Sequence, residues 1–403
     1  MPSSSLHSTG ASDGYPAFST AVFASVCAFI FIQSTSSATP VLTPPQIIPM
    51  LSALTTRTVA SSSRTCLSVG ARVVRPGLRA MSTTVRPSTV PLVITPKALA
   101  PLLEANQNGE VRILDATWFM PNIQPPRDPR KEFEQGPRLP RAAFWDVDKV
   151  ATVGESVRNL PHMMPSASTF AKAAGEHGID PATHVVVYDT HGVFSSPRTA
   201  FTFKAFGHAK VSVLNGGLPA WIDAGLPREQ GDPAKHEAKQ YPEPVLEDGI
   251  VRSFDEMVAN AKMGARGQTV FDARPKGRFD GTDPEPRAGL SSGHIPHSVS
   301  LPFPTLMKQV EGKDGKKYSV LKDQIELWRL LSDTVGGMEA LDKLRQASSG
   351  GELAATNTCG SGMTAAAIWL ALQELGVQSA IYDESWMGWA SREKEGIPID
   401  KNI

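Results

Sequence analysis

Three cysteines occur in 403 residues, at positions 27, 66 and 359, and of these Cys359 alone lies beyond an N-terminal stretch rich in Ser, Thr, Ala and Arg. They show neither the paired spacing of a disulfide framework nor the Cys/His clustering of a zinc site. A lone cysteine is ordinarily a small buried hydrophobe. Its surroundings argue otherwise. The apolar run ELAATNT (352–358) leads into Cys359-Gly360-Ser361-Gly362-Met363-Thr364, which runs directly into the Ala-rich stretch AAAIWLALQEL (365–375). A strand, a tight loop with two glycines and a helix N-terminus predict that several backbone N–H groups converge on the sulfur. Such a cradle, with the positive end of the helix behind it, stabilises a thiolate, the reactive form of cysteine. It would equally hold the terminal sulfur of a persulfide.

Two chemistries use a cradle of this kind. Cysteine phosphatases need Cys-x5-Arg, because the arginine clasps phosphate oxygens in pairs; Ala365 stands in that place here. Sulfur transfer needs no such clasp and fits better.

The elements that must position Cys359 recur elsewhere in the chain, at a spacing of ~160 residues. VRILDATW (111–118) matches QTVFDARP (268–275), each an apolar run ending in an aspartate, Asp115 or Asp272. FGHAKVSVLNGGLPAWIDAG (206–225) matches LGVQSAIYDESWMGWASRE (375–393), aligning Asn215 with Asp383 and Trp221 with Trp389. Between them lies a second apolar strand in each copy, HVVVYDT (184–190) or ELAATNT. Strands alternating with helical stretches predict two tandem α/β domains, each a mainly parallel sheet flanked by helices. The expected domains are 90–230 and 250–398, joined by a polar, Pro-containing linker (231–249). The alignment sets His191 opposite Cys359, so the first copy should be catalytically silent.

Residues 1–89 predict a disordered N-terminal leader. The first 87 residues carry six arginines, one acid (Asp13) and no lysine, so with zero net charge overall the remainder is near −5. An Arg-rich, acid-poor segment is how a mitochondrial transit peptide reads, with Met50 as a candidate true start and Met81 as the start of a shorter cytoplasmic form. The apolar run Ala17–Ile32 is short against the roughly 20 residues of a membrane span. A mildly acidic body lacks the basic footprint of a nucleic-acid binder. Neither nucleic acid nor membrane is an expected partner.

CGSGMTA, with YDESWMGW 23 residues after the cysteine, resembles the active-site region of the 3-mercaptopyruvate and thiosulfate sulfurtransferases, the tandem rhodanese family. The resemblance extends through VRILDATWFMP, LPHMMP, SSPRTA, SVLNGGLPAW, GRFDGTDPEPR and SGHIP, over residues 105–395. It implies two rhodanese-like domains and a persulfide formed on Cys359. The neutral Gly360 and Ser361, where thiosulfate-type relatives have Arg and Lys, imply a 3-mercaptopyruvate donor. Arg278 and Arg287 are implied to bind the donor's carboxylate, a task suited to paired guanidinium hydrogen bonds. Gly360, Gly362, Met363 and Thr364 are expected to complete the donor site. Ser361, His162 and Asp148 are implied to form a proton relay, since a thiol donor loses a proton and the pyruvate enolate gains one. Arg274 and His294 are expected to be structural, Trp386 and Trp389 to pack, and His297 stands where relatives commonly have Gly. No metal or organic cofactor is implied. Acceptors would be thioredoxin, glutathione or cyanide. A thiosulfate:cyanide sulfurtransferase, or a relay protein handing sulfur to a ubiquitin-like carrier for tRNA thiolation, remain the alternatives.

Overall fold

The structure is a computed structural model that describes residues 90–106 and 108–403; the leader, Cys27, Cys66, Met50, Met81 and Ala17–Ile32 lie outside the described residues. The first half is a parallel sheet of β1 (Val93–Ile94), β2 (Val111–Asp115), β3 (Ala143–Phe144), β4 (His184–Tyr188) and β5 (Val211–Leu214), in the order β1-β5-β4-β2-β3. Its helices are α1 (Pro96–Glu104), α2 (Pro129–Gln135), α3 (Ala167–Glu176), α4 (Ser196–Ala205) and α5 (Gly217–Asp223). In the second half β6 (Val251–Arg252), β7 (Thr269–Asp272), β8 (Ser298–Ser300), β11 (Ala355–Thr358) and β12 (Ser379–Tyr382) repeat the order as β6-β12-β11-β7-β8. They carry α6 (Phe254–Lys262), α7 (Lys276–Asp280), α8 (Gln324–Val335), α9 (Met338–Ser349), α10 (Ala365–Glu374) and α11 (Ser385–Ala390). This is the α/β architecture expected from the repeat.

Both central strands are buried along their whole length, as parallel strands covered on two faces must be. Helix ends are set locally. Ser253 and Glu256 form a capping box on α6, and Asp323 and Glu326 another on α8. Helix α10 is apolar on nearly every side and almost wholly buried, which requires cover beyond its own sheet. It packs on α4 of the first half, with the Trp369 and Phe201 rings edge to face at 5.4 Å. One apolar cluster therefore runs through both halves, while each sheet's other face has a smaller core of its own.

Two insertions cross between the halves. The segment between β3 and α3 reaches the second half, where the Met164 amide donates to Asp383 Oδ2 at 2.6 Å. The antiparallel hairpin β9 (Met307–Glu311) and β10 (Lys317–Leu321), absent from the sequence expectation, reaches back. There the Leu321 amide donates to Asn215 Oδ1 at 2.7 Å. Asn215 and Asp383 are thus matched, as the repeat implied.

The strand register corrects one alignment. Asp115 pairs with Tyr188, and Asp272 with Thr358, so the residue opposite Cys359 is Asp189 and not His191. The carbonyl of Asp189 accepts from the Leu218 amide in α5 as that of Cys359 accepts from Trp386 in α11. Seven residues separate β4 from α4 and six separate β11 from α10, so the sequences of the two loops cannot be laid side by side without a gap.

Candidate active site

Cys359 is a free, buried thiol at the end of β11. The Gly362 amide donates to Sγ at 3.1 Å, and the Ser385 hydroxyl lies 4.0 Å away while accepting from the Cys359 amide at 3.2 Å. The expected convergence of several amides is thus reduced to one. Among the described residues, the amides of Gly360, Ser361, Met363 and Thr364 find no acceptor. Gly362 must be glycine: its φ is +84°, and a Cβ there would sit 2.9 Å from the Asp383 carbonyl. Ser385 also holds a left-handed φ, +51°, a strain that a site can retain where the surroundings over-determine it.

Both predicted arginines face this loop. A Cβ placed on Gly360 would lie 3.7 Å from Arg278 Nη2 and 3.8 Å from Arg287 Nη1. Burial pulls Arg287 below the usual guanidinium range and neighbouring Arg278 pulls the same way, while Cys359 and Glu285 act against them. Glu285, which sequence reasoning passed over, organises the cluster. Its Oε1 is 2.8 Å from Arg274 Nη1 and 3.6 Å from Arg278 Nε. Arg274 is otherwise occupied by Asp272 and lies over the Trp386 ring, the structural part expected of it. His294 stacks on Phe279 and bonds its carbonyl, bracing the turn that carries Arg278. His297 has φ +64°, a conformation that favours glycine.

From the first half, His162 is buried with Nδ1 2.5 Å from Asp148 Oδ1, and the Trp118 indole donates to Asp148 Oδ2 at 3.0 Å. Asp148 lies at the surface; partial loss of hydration pushes its carboxyl up, but the close contact and charge of His162 and the bond from Trp118 outweigh it and hold the group below its usual range. Two of the three expected relay members are therefore together. Ser361 is buried in the same loop, but no hydrogen bond joins it to His162 among the described residues. Arg198 ties the pieces: Nη2 donates to the His162 carbonyl at 2.6 Å and to Asp383 at 2.7 Å, and Nη1 to the Gly362 carbonyl at 3.3 Å. Met363 packs in the shared core and Thr364 is the N-cap of α10.

A buried thiol beside unpaired amides and two guanidiniums suits transfer of a group from an anionic donor. The comparisons agree. The Rhodanese-like domain family matches residues 100–224. The chain is 34% identical to mouse 3-mercaptopyruvate sulfurtransferase over 308 residues, spanning 74% of this chain and 92% of that protein. The chain belongs to the 3-mercaptopyruvate/thiosulfate sulfurtransferase family. This sulfurtransferase is also 36% identical, over 323 residues, to the Arabidopsis thaliana thiosulfate/3-mercaptopyruvate sulfurtransferase 1, mitochondrial, spanning 74% of this chain and 76% of the relative. Among solved structures, the sulfur transferase subunit of yeast mitochondrial complex I superposes with a TM-score of 0.62 at 32% identity, over 77% of this chain and all of that one.

Proposed function

We propose that this sulfurtransferase takes sulfur from 3-mercaptopyruvate and passes it to a thiol or cyanide through a persulfide on Cys359. The observation that carries this reading is the pairing of Cys359 with Arg278 and Arg287 around an uncharged Gly-Ser loop. The two guanidiniums hold the donor's carboxylate. Cys359 thiolate attacks the donor sulfur; a sulfur–sulfur bond forms as the C3–S bond breaks, and its electron pair leaves on C3 as the pyruvate enolate. The proton lost by the donor thiol returns to C3 through His162, backed by Asp148, with Ser361 as the link to the donor. Pyruvate departs. The terminal sulfur then rests against the amides of Gly360, Ser361, Met363 and Thr364, which suit an anion. An acceptor thiol such as thioredoxin or glutathione attacks the outer sulfur, the S–S bond breaks and Cys359 regains its electron pair.

The catalytic unit is proposed as residues 250–398, completed by His162 and Asp148 from the unit 90–230. The names of the Arabidopsis and yeast relatives support a mitochondrial location, consistent with the Arg-rich leader; a shorter cytoplasmic form would start at Met81. The Arabidopsis name, which joins both donors, supports thiosulfate as a second substrate. The yeast protein's place in a larger assembly favours a further role in handing sulfur to a protein acceptor, such as a ubiquitin-like carrier.

Mass spectrometry of the protein after exposure to mercaptopyruvate and, separately, to thiosulfate tests the reading. One added sulfur on the Cys359 peptide with mercaptopyruvate is expected, and none in Cys359→Ser. Persulfide on that variant, or loading by thiosulfate alone, would overturn it.

A further inference from the structure

Asp148 presents a mechanical difficulty. His162 is buried, but the Asp148 side chain is 56% exposed and lines an open cleft of about 310 Å³ together with Trp118, Arg130 and Lys149. An exposed carboxylate samples several rotamers and would not hold an imidazole in one orientation. Among the described residues, the Trp118 indole N–H is the hydrogen-bond donor that fixes its second oxygen.

Trp118 is itself fixed at three points. Its amide donates to Ser195 Oγ at 3.2 Å, its carbonyl accepts from His191 Nε2 at 3.1 Å, and its ring stacks on Phe194 at 6.3 Å. All three partners belong to the loop after β4. That loop is pinned from within, because the buried Asp189 carboxylate accepts from the amides of His191, Gly192, Phe194, Ser195 and Ser196. The Trp118 ring also meets His162 edge on, at 4.8 Å and 84°. We propose that Trp118 is a positioning residue for proton transfer, its indole N–H orienting Asp148 and thereby His162, and that the Asp189 loop of the first half serves as its anchor. This rests on the relay reading above, and it gives the loop without a cysteine a part in the reaction.

The test is a double-mutant cycle on steady-state turnover of mercaptopyruvate. Trp118→Phe keeps the ring and removes the N–H; kcat should fall roughly 10-fold with KM within about twofold, the size of one charge-assisted hydrogen bond. In an Asp148→Asn background the same change should cost less than about twofold, since the group it orients no longer carries charge. His191→Ala, which spares the indole, should show the same dependence on Asp148 with a smaller effect. An equal loss in both backgrounds, or none in Trp118→Phe while Asp148→Asn is slow, overturns the inference alone. Full kcat in Asp148→Asn overturns the relay reading, and this inference with it.

Discussion

The loops that follow β4 and β11 share a fold and hold opposite contents. In the first, the Asp189 carboxylate collects four loop amides and the amide and hydroxyl of Ser196 at the start of α4, so the cradle is filled by the chain's own anion. That loop is also covered: a Cβ on Gly192 would collide with the Ser319 carbonyl of the β9–β10 hairpin. In the second, a thiol receives one amide, and four other loop amides lack an acceptor among the described residues. A nest of backbone donors attracts negative charge wherever it forms. Supplying that charge internally makes a structural pin, and leaving the donors unpaired makes a site for an incoming group.

The strongest way to break this contrast is to exchange the nature of the two side chains. Cys359→Ser should lower kcat/KM for mercaptopyruvate by about 10³-fold or more, the loss expected when a covalent nucleophile goes, with a melting temperature close to wild type. Asp189→Ala should behave in the reverse manner. It strands five amides, three of them in fully buried hydrogen bonds, and urea unfolding should show a loss on the order of 3–5 kcal/mol. The folded fraction should still gain sulfur on Cys359. A stable Asp189→Ala protein, or an unstable Cys359→Ser one, would remove the distinction between pin and site.

Much of this was legible in the sequence because it is local. Strand, glycine loop and apolar helix around Cys359 lie within some twenty consecutive residues, and Arg278 and Arg287 are nine positions apart, in and just after α7. The repeat implied two tandem α/β domains with mainly parallel sheets, and the sheets do repeat one strand order. What escaped depends on distance or on a gap. Arg198 and Asp383 are 185 positions apart, and neither residue type announces an ion pair between halves. Asp189 rather than His191 stands opposite Cys359, which loops of unequal length do not reveal and only strand pairing fixes. The β9–β10 hairpin carries the lysines of KQVEGKDGKKYSVLK, a polar composition that reads as surface rather than as a bridge to the other half. Trp118 read as part of a strand-end motif, with nothing to show where its N–H points.

A finer test concerns the unpaired donors. Arg287 is half-buried, its charge feels Cys359, and among the described residues it has no hydrogen-bonded carboxylate. Arg198, by contrast, is fully committed to His162, Gly362 and Asp383. Arg287→Ala should therefore raise KM for mercaptopyruvate by roughly 30–100-fold, as for one charge-assisted interaction, and leave unfolding free energy within about 0.5 kcal/mol. Lost stability with unchanged KM would make it a structural residue like Arg274.

The last test concerns the aspartates that end β2 and β7, where no activity should change. Asp272 is neutralised by the Arg274 guanidinium, whereas Asp115, at the matching place, has Thr117. Burial therefore pushes the Asp115 carboxyl up to about 6, with the hydrogen bonds from Thr117 only partly opposing it. An unfolded aspartate titrates near 3.9, so between about pH 4 and pH 6 the folded protein binds a proton that the unfolded chain has released. That contribution is complete below about pH 4 and is lost as pH rises through about 6, so stability should fall with pH across this window. The change across the window should total at most about 3 kcal/mol. In Asp115→Asn, which stays neutral, urea midpoints between pH 4 and pH 7 should lose this component while the slopes due to other groups remain. If the variant keeps the full slope, Asp115 is ionised in the fold, and the two halves treat their matched carboxylates alike despite the missing arginine.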